Sequence, residues 1–234
     1  MMKAVVAQWI GARQMQEDAY RIHFFPDGLL VLVCDGMGGH RQGAEAAELA
    51  AAAFLEAFTT SGSAVEQSLR AALEAANESV GKLVASSAQF GGTTLVAAYI
   101  GNGVARWISV GDSALLLWRR GRLMRLNEDH SMRPLLERIV PGCENASNML
   151  RSALTGEPLT LIDAPALPLL LLPDDRLILC SDGANEVLLP GKVTPTVRDI
   201  LDDRSGNAAS ALMERICRTS DERADNATVL VVDI

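Results

Sequence analysis

Two apolar runs in this chain stop at an acid followed by glycine. Residues 29–34 (LLVLVC) empty into Asp35-Gly36, and residues 176–180 (RLILC) empty into Ser181-Asp182-Gly183. Short runs with no polar alternation suit strands covered on both faces. Glycine after the acid permits a tight turn and lets the backbone approach a ligand closely. A third acid, Asp225, stands just before the apolar run 227–233 (ATVLVVD). A single Asp-Gly is a common turn and means little alone. Three acids at strand ends can gather at one end of a sheet. Gathered without cationic partners they repel, and a bound cation is the natural resolution.

The rest of the chain constrains how those strands are arranged. Residues 43–58 and 64–86 are rich in Ala, Glu and Leu, with apolar positions at helical spacing, which predicts two successive helices forming an antiparallel pair. From residue 93 the period changes. Segments 93–100, 104–110, 114–118 and 122–126 read as strands, with Gly101-Asn102-Gly103 and Arg120-Gly121 as hairpin turns. Residues 1–12 read as a first strand and 206–218 as a further helix. This order is α+β rather than repeating βαβ. It suggests two sheets with helices outside, in one domain spanning 1–234.

Composition removes several classes of function. The net charge is -8 and no basic stripe is present, so nucleic-acid binding is not expected. Four cysteines occur, none in a C-x-x-C pair, which argues against zinc and for a reducing compartment. The apolar run 167–172 is broken by Pro168 and is too short to cross a bilayer. A cytoplasmic protein without membrane insertion is expected, acting as a monomer.

Six segments occur in a telling order: Arg13-Gln-Met-Gln-Glu-Asp-Ala-Tyr20, Val33-Cys-Asp-Gly-Met-Gly-Gly-His40, Gly91-Gly-Thr-Thr94, Val110-Gly-Asp-Ser113, Leu179-Cys-Ser-Asp-Gly183 and Asp225-Asn-Ala-Thr228. The set resembles the metal-dependent protein phosphatases of type 2C in their compact bacterial form, over about 5–232. The resemblance implies a central β-sandwich of two antiparallel sheets flanked by pairs of helices. It implies two Mn2+ or Mg2+ ions, with a weaker third, in a cleft at one end of the sandwich. Asp35 would bridge two ions. Asp182 and Asp225 would complete one ion's shell, and the Gly36 carbonyl and Glu17 would serve the other. Asp18 would stand behind these ligands, and Asp112 would join Asp182 at the third ion. Arg13 would grip the phosphate. The ions would activate water to attack phosphorus, so no covalent nucleophile is needed.

Two departures from the family pattern stand out. Met37 occupies the place where many eukaryotic relatives carry a proton-donating histidine. His40 lies three residues further on and is expected to position the loop rather than to act as acid. Gln16 replaces the usual Asn before Glu17-Asp18. His23 and His130 have no partners at a recognisable spacing. Residues 131–154 match a flap that influences substrate choice in relatives, with a short helix expected over 132–140. The implied activity is hydrolysis of phosphoserine and phosphothreonine in proteins, opposing a cognate serine/threonine kinase. The alternatives are a phosphatase of a phosphorylated anti-sigma-factor antagonist and an inactive phosphoprotein-binding module.

Overall fold

Strand β3 (Gly28–Met37) is buried without interruption from Gly28 to Cys34 because both of its faces are covered. Leu29, Val31 and Val33 point into a core between two sheets. Leu30, Leu32 and Cys34 point the other way, into a core beneath helices. The same division splits β10 (Arg176–Cys180). Its Leu177 and Leu179 join the core between the sheets, and Ile178 and Cys180 join a second helix-covered core. The alternation of side chains across a strand thus produces a four-layered molecule. A computed structural model describes residues 2–38, 41–86, 91–133, 135–136, 149–189, 191 and 193–234.

The first sheet has the order β1 (Lys3–Trp9), β11 (Ala227–Asp233), β10, β7 (Ala114–Arg119), β8 (Arg122–Arg125). The second has the order β2 (Asp18–Phe25), β3, β5 (Leu95–Gly101), β6 (Val104–Val110), β9 (Leu169–Leu170), with the short β4 (Gly92–Thr93) paired to the end of β3. Every pairing is antiparallel. Helices α1 (Arg41–Thr60) and α2 (Val65–Ser86) cover the second sheet through an alanine-rich face that includes Ala46, Ala47, Ala50, Ala72 and Ala76. Small side chains let the helix pair lie close to the strands. Helices α3 (Pro195–Asp202) and α4 (Ala208–Thr219) cover the first sheet with Val197, Leu201, Leu212 and Ile216. The expected sandwich with paired helices is the fold observed.

The sequence reading missed β2 and α3. Thr194 accepts the Val197 N–H at 3.3 Å and caps α3, with Pro195 in its first turn. Fully buried Arg176 holds the other end of α3. It donates to the carbonyls of Ile200, Leu201 and Asp203, and its Nε lies 2.5 Å from Asp233 Oδ1. The expected helix over 132–140 begins with Leu135 and Leu136 N–H groups on the Met132 carbonyl, and most of that range lies outside the described residues.

Antiparallel order decides which strand ends meet. The end of β3 lies beside the start of β2, and β6, two strands along, ends on the same side. In the other sheet the end of β10 lies beside the starts of β11 and β7. One end of the sandwich therefore collects the acids that punctuate these strands.

Candidate active site

At that end lies a cavity of about 200 Å3. Asp35, Asp182, Asp225 and Asp112 line it, together with Glu17, Gly36 and Arg13. Seven of the residues singled out from sequence thus share one cleft. Asp18 sits beneath the cleft, 8 % exposed, directly opposite Asp35 in the β2–β3 register. His40 lies outside the described residues.

Local structure fixes each acid. Asp35 is held through its backbone: its N–H donates to Thr94 Oγ1 at 3.0 Å, and its carbonyl accepts from Thr94 N–H and Thr93 Oγ1, each at 2.9 Å. Asp182 opens a 3-10 turn immediately after β10, and its N–H lies 3.5 Å from Asp35 Oδ2. Asp112 occupies the turn between β6 and β7 and is 6 % exposed. Asp18 Oδ2 accepts from Ser181 Oγ at 2.8 Å and Thr228 Oγ1 at 2.6 Å. Its other oxygen is buried without a hydrogen-bond partner among the described residues. Gln16 does what the expected Asn would do: its Oε1 accepts the Asp18 N–H at 3.0 Å while its Nε2 donates to the Trp9 carbonyl. Gly36 admits no side chain, because a Cβ there would stand 2.2 Å from the Gly43 carbonyl oxygen.

The electrostatics of the cleft are those of acids lacking counter-charge. Burial pushes the Asp35 carboxyl well above the ordinary carboxylate range, and the charges of Asp18, Asp182, Asp112 and Asp225 push it further. Burial raises Asp18 to about 7 against the pull of its two hydroxyl donors. Burial also raises Asp112 to about 7, assisted by the Asp182 charge. Asp182 is raised by burial and by the Asp225 charge, against the pull of its hydrogen bond with Asp35 and of the Arg133 and Arg13 charges. The described ion pair within the cleft is Arg13 Nη2 to Asp225 Oδ2, at 2.5 Å.

A pH dependence follows for chelator-treated protein. Asp18 and Asp112 bind protons more tightly folded than unfolded, so the native state holds more protons between about pH 4 and about pH 7. Their contribution to stability must therefore fall as pH rises through that window. The melting temperature measured in chelator is expected to drop between pH 5 and pH 7, and added Mn2+ should reverse the drop. A flat profile would contradict this electrostatic picture.

No group of three or more acidic, His or Cys side chains among the described residues is placed so that it could hold a metal ion as it stands. The donor set nevertheless fits hard divalent cations. It consists of carboxylate oxygens, and one of them, Asp18 Oδ1, is buried and unpartnered.

Several contributors carried no mark in the sequence reading. Asn226 accepts the Glu17 N–H at 2.7 Å and donates to the carbonyls of Ile10 and Met15, which clamps the loop bearing Arg13. It stands in the quoted Asp225-Asn-Ala-Thr228 segment, so its place was visible though its task was not. Leu150 and Met37 supply apolar walls. His130, read as partnerless, is 1 % exposed and accepts the Gly111 N–H on Nδ1 at 3.2 Å. Ser113 and Ser181 satisfy groups beside the acids: Ser113 Oγ bonds Thr94 Oγ1 at 2.7 Å, and Ser181 Oγ accepts the Thr228 N–H at 2.9 Å. Cys34 and Cys180 are buried strand residues whose thiols are pushed up by burial, Cys180 to about 12. Neither is a nucleophile.

Known proteins resemble this chain in sequence and fold. The protein phosphatase 2C family matches residues 8–226. The serine/threonine phosphatase Stp of Listeria welshimeri is 31% identical over 217 residues, spanning 87% of this chain and 84% of its own. The serine/threonine protein phosphatase PstP of Mycobacterium tuberculosis is 31% identical over 224 residues, spanning 88% of this chain and 40% of its own. The catalytic domain of PstP, solved with two manganese ions, superposes with a TM-score of 0.80 at 26% identity, covering 99% of this chain and 97% of that one. The family match runs from before Arg13 to beyond Asp225 and so takes in every acid of the cleft. This chain belongs to the protein phosphatase 2C family and is a protein serine/threonine phosphatase.

Proposed function

We propose that the whole chain acts as one catalytic domain that hydrolyses phosphoserine and phosphothreonine in proteins with Mn2+ or Mg2+ ions, opposing a cognate kinase. The observation that carries this reading is the gathering of Asp35, Asp112, Asp182, Asp225 and Glu17 around one cavity with Arg13 at its edge. Asp35, Asp182 and Asp225 would hold the ions with Glu17 and the Gly36 carbonyl, and Asp112 with Asp182 would hold a weaker third. Bound there, divalent cations neutralise phosphoryl oxygens and make water a competent nucleophile at neutral pH.

The chain's own groups do the rest. Arg13 presents a guanidinium fork that matches two phosphate oxygens and fixes the ester for in-line attack. Asp18 is oriented beneath the cleft by Ser181 and Thr228, and its other oxygen is buried without a hydrogen-bond partner among the described residues. A cavity of about 200 Å3 has room for a phosphoryl group. Arg13 and Glu17 both line the cleft, which favours a general phosphoprotein phosphatase over the anti-sigma-antagonist alternative.

Chelation should abolish hydrolysis of a phosphothreonine peptide, and Mn2+ should restore it. Hydrolysis that persists at full rate in excess chelator would overturn the proposal.

A further inference from the structure

The turn that carries Asp112 is held from one side by a segment the mechanism above does not use. Gly111 and His130 exchange two hydrogen bonds. The Gly111 N–H donates to His130 Nδ1 at 3.2 Å, and the His130 N–H donates to the Gly111 carbonyl at 3.1 Å. Arg125 grips the next peptide, donating from Nη2 to the Asp112 carbonyl at 2.8 Å and from Nη1 to Asp129 Oδ2 at 3.1 Å. The turn has little freedom of its own. Gly111 has φ +104, and a Cβ there would meet the Thr94 side chain at 2.6 Å.

The opposite edge of the same segment is tied to the cleft wall. Ser131 and Leu150 form an antiparallel bridge, and Leu150 lines the cavity. The Arg151 N–H donates to the His130 carbonyl at 2.8 Å, and the Arg151 guanidinium donates to the carbonyls of Ser131 and Asp129. Residues 129–132 therefore form a strip with Asp112 on one margin and residues 149–151 on the other. His130 is the one side chain of the strip that reaches the backbone next to Asp112, and it is buried.

We infer that His130 is a positioning residue for Asp112, and that it ties the Asp112 carboxylate to the wall formed by Leu150. The inference rests on the proposed role of Asp112 in holding a weaker cation. Loss of the His130 acceptor frees the Gly111 peptide that carries Asp112, and a lost outer partner of a metal ligand lowers affinity by about 10–100-fold, which sets the upper range of the effect.

The test uses His130→Leu, which fills the space without an acceptor, and His130→Asn, whose Oδ1 replaces Nδ1. Mn2+ binding is measured by calorimetry beside Asp112→Asn and the double variant His130→Leu/Asp112→Asn. His130→Leu should weaken the weaker Mn2+ site about 10–100-fold, His130→Asn should restore most of the loss, and the double variant should be no worse than Asp112→Asn alone. Nitrogen-15 shifts of the wild-type ring should show an unprotonated Nδ1. Additive losses in the double variant, or a protonated Nδ1, overturn the inference. If His130→Leu does not fold, a folded His130→Asn with the manganese dependence of Asp112→Asn overturns it equally. If Asp112→Asn binds Mn2+ like wild type at every site, the assignment of Asp112 fails, and this inference fails with it.

Discussion

Asp182→Asn is expected to lower kcat/KM with Mn2+ by at least about 1000-fold while raising the melting temperature of the metal-free protein. The two effects have one cause. Asp182 is half-buried beside Asp35 and Asp225, and its carboxyl is raised because ionising it there is costly. In the ion-loaded protein that cost is offset by coordination. Losing one charged ligand removes several kcal/mol of transition-state charge stabilisation, and about 4 kcal/mol corresponds to a factor near 1000. In chelator the same change removes a charge that repels its neighbours, so the variant should be more stable than wild type. The Asp182 N–H that approaches Asp35 Oδ2 belongs to the backbone and survives the substitution. Steady-state rates on an aryl phosphate, with thermal melts in chelator and in Mn2+, check both halves. Turnover near wild type would remove Asp182 from the metal centre. A lower metal-free melting temperature would show that its charge is compensated by something other than a cation.

Three acids of the cleft were legible because each sits at a boundary the apolar pattern makes visible, whereas Asp112, Glu17 and Asp18 were marked only by the ordered motifs that carry the family resemblance. Asp35 and Asp182 end runs buried on both faces, and Asp225 precedes another. Their convergence followed once antiparallel neighbours were assumed. Strand β2 was not legible: residues 18–25 (DAYRIHFF) are mostly half-buried, and Arg21 and His23 obscure the apolar pattern. Helix α3 is eight residues long, too short for a periodic signal, although Thr194-Pro195 carried its cap. His130 and Asn226 escaped for a different reason. Their partners are backbone groups far away in sequence, nineteen residues off for His130 and more than two hundred for Asn226. Side-chain spacing along the chain carries no trace of such bonds, because any residue has an amide to offer.

Arg13→Ala is expected to move two affinities in opposite directions. The guanidinium fits a phosphate, yet in the structure it lies on Asp225 at 2.5 Å, with both side chains open to solvent at 48% and 38%. It neutralises a carboxylate that the proposed mechanism assigns to a cation, so Arg13 and the cation compete for Asp225. With Asp225 engaged by a cation, the Arg13 fork would be released toward substrate. Without the fork, kcat/KM for a phosphate monoester should fall about 100–1000-fold, the cost of removing a preorganised donor from developing charge. Without the competitor, Mn2+ should bind more tightly. An exposed ion pair is worth only about 0.2–1 kcal/mol, so the gain is at most about fivefold. Arg13→Lys separates the two roles: a point charge still competes for Asp225 but cannot form the fork, so Mn2+ affinity should stay near wild type while kcat/KM falls. Calorimetry of Mn2+ binding beside initial rates for the three proteins reads both quantities. Weaker Mn2+ binding in Arg13→Ala would mean that the guanidinium supports the metal site instead of vacating it, and the exchange of partners at Asp225 would have to be abandoned.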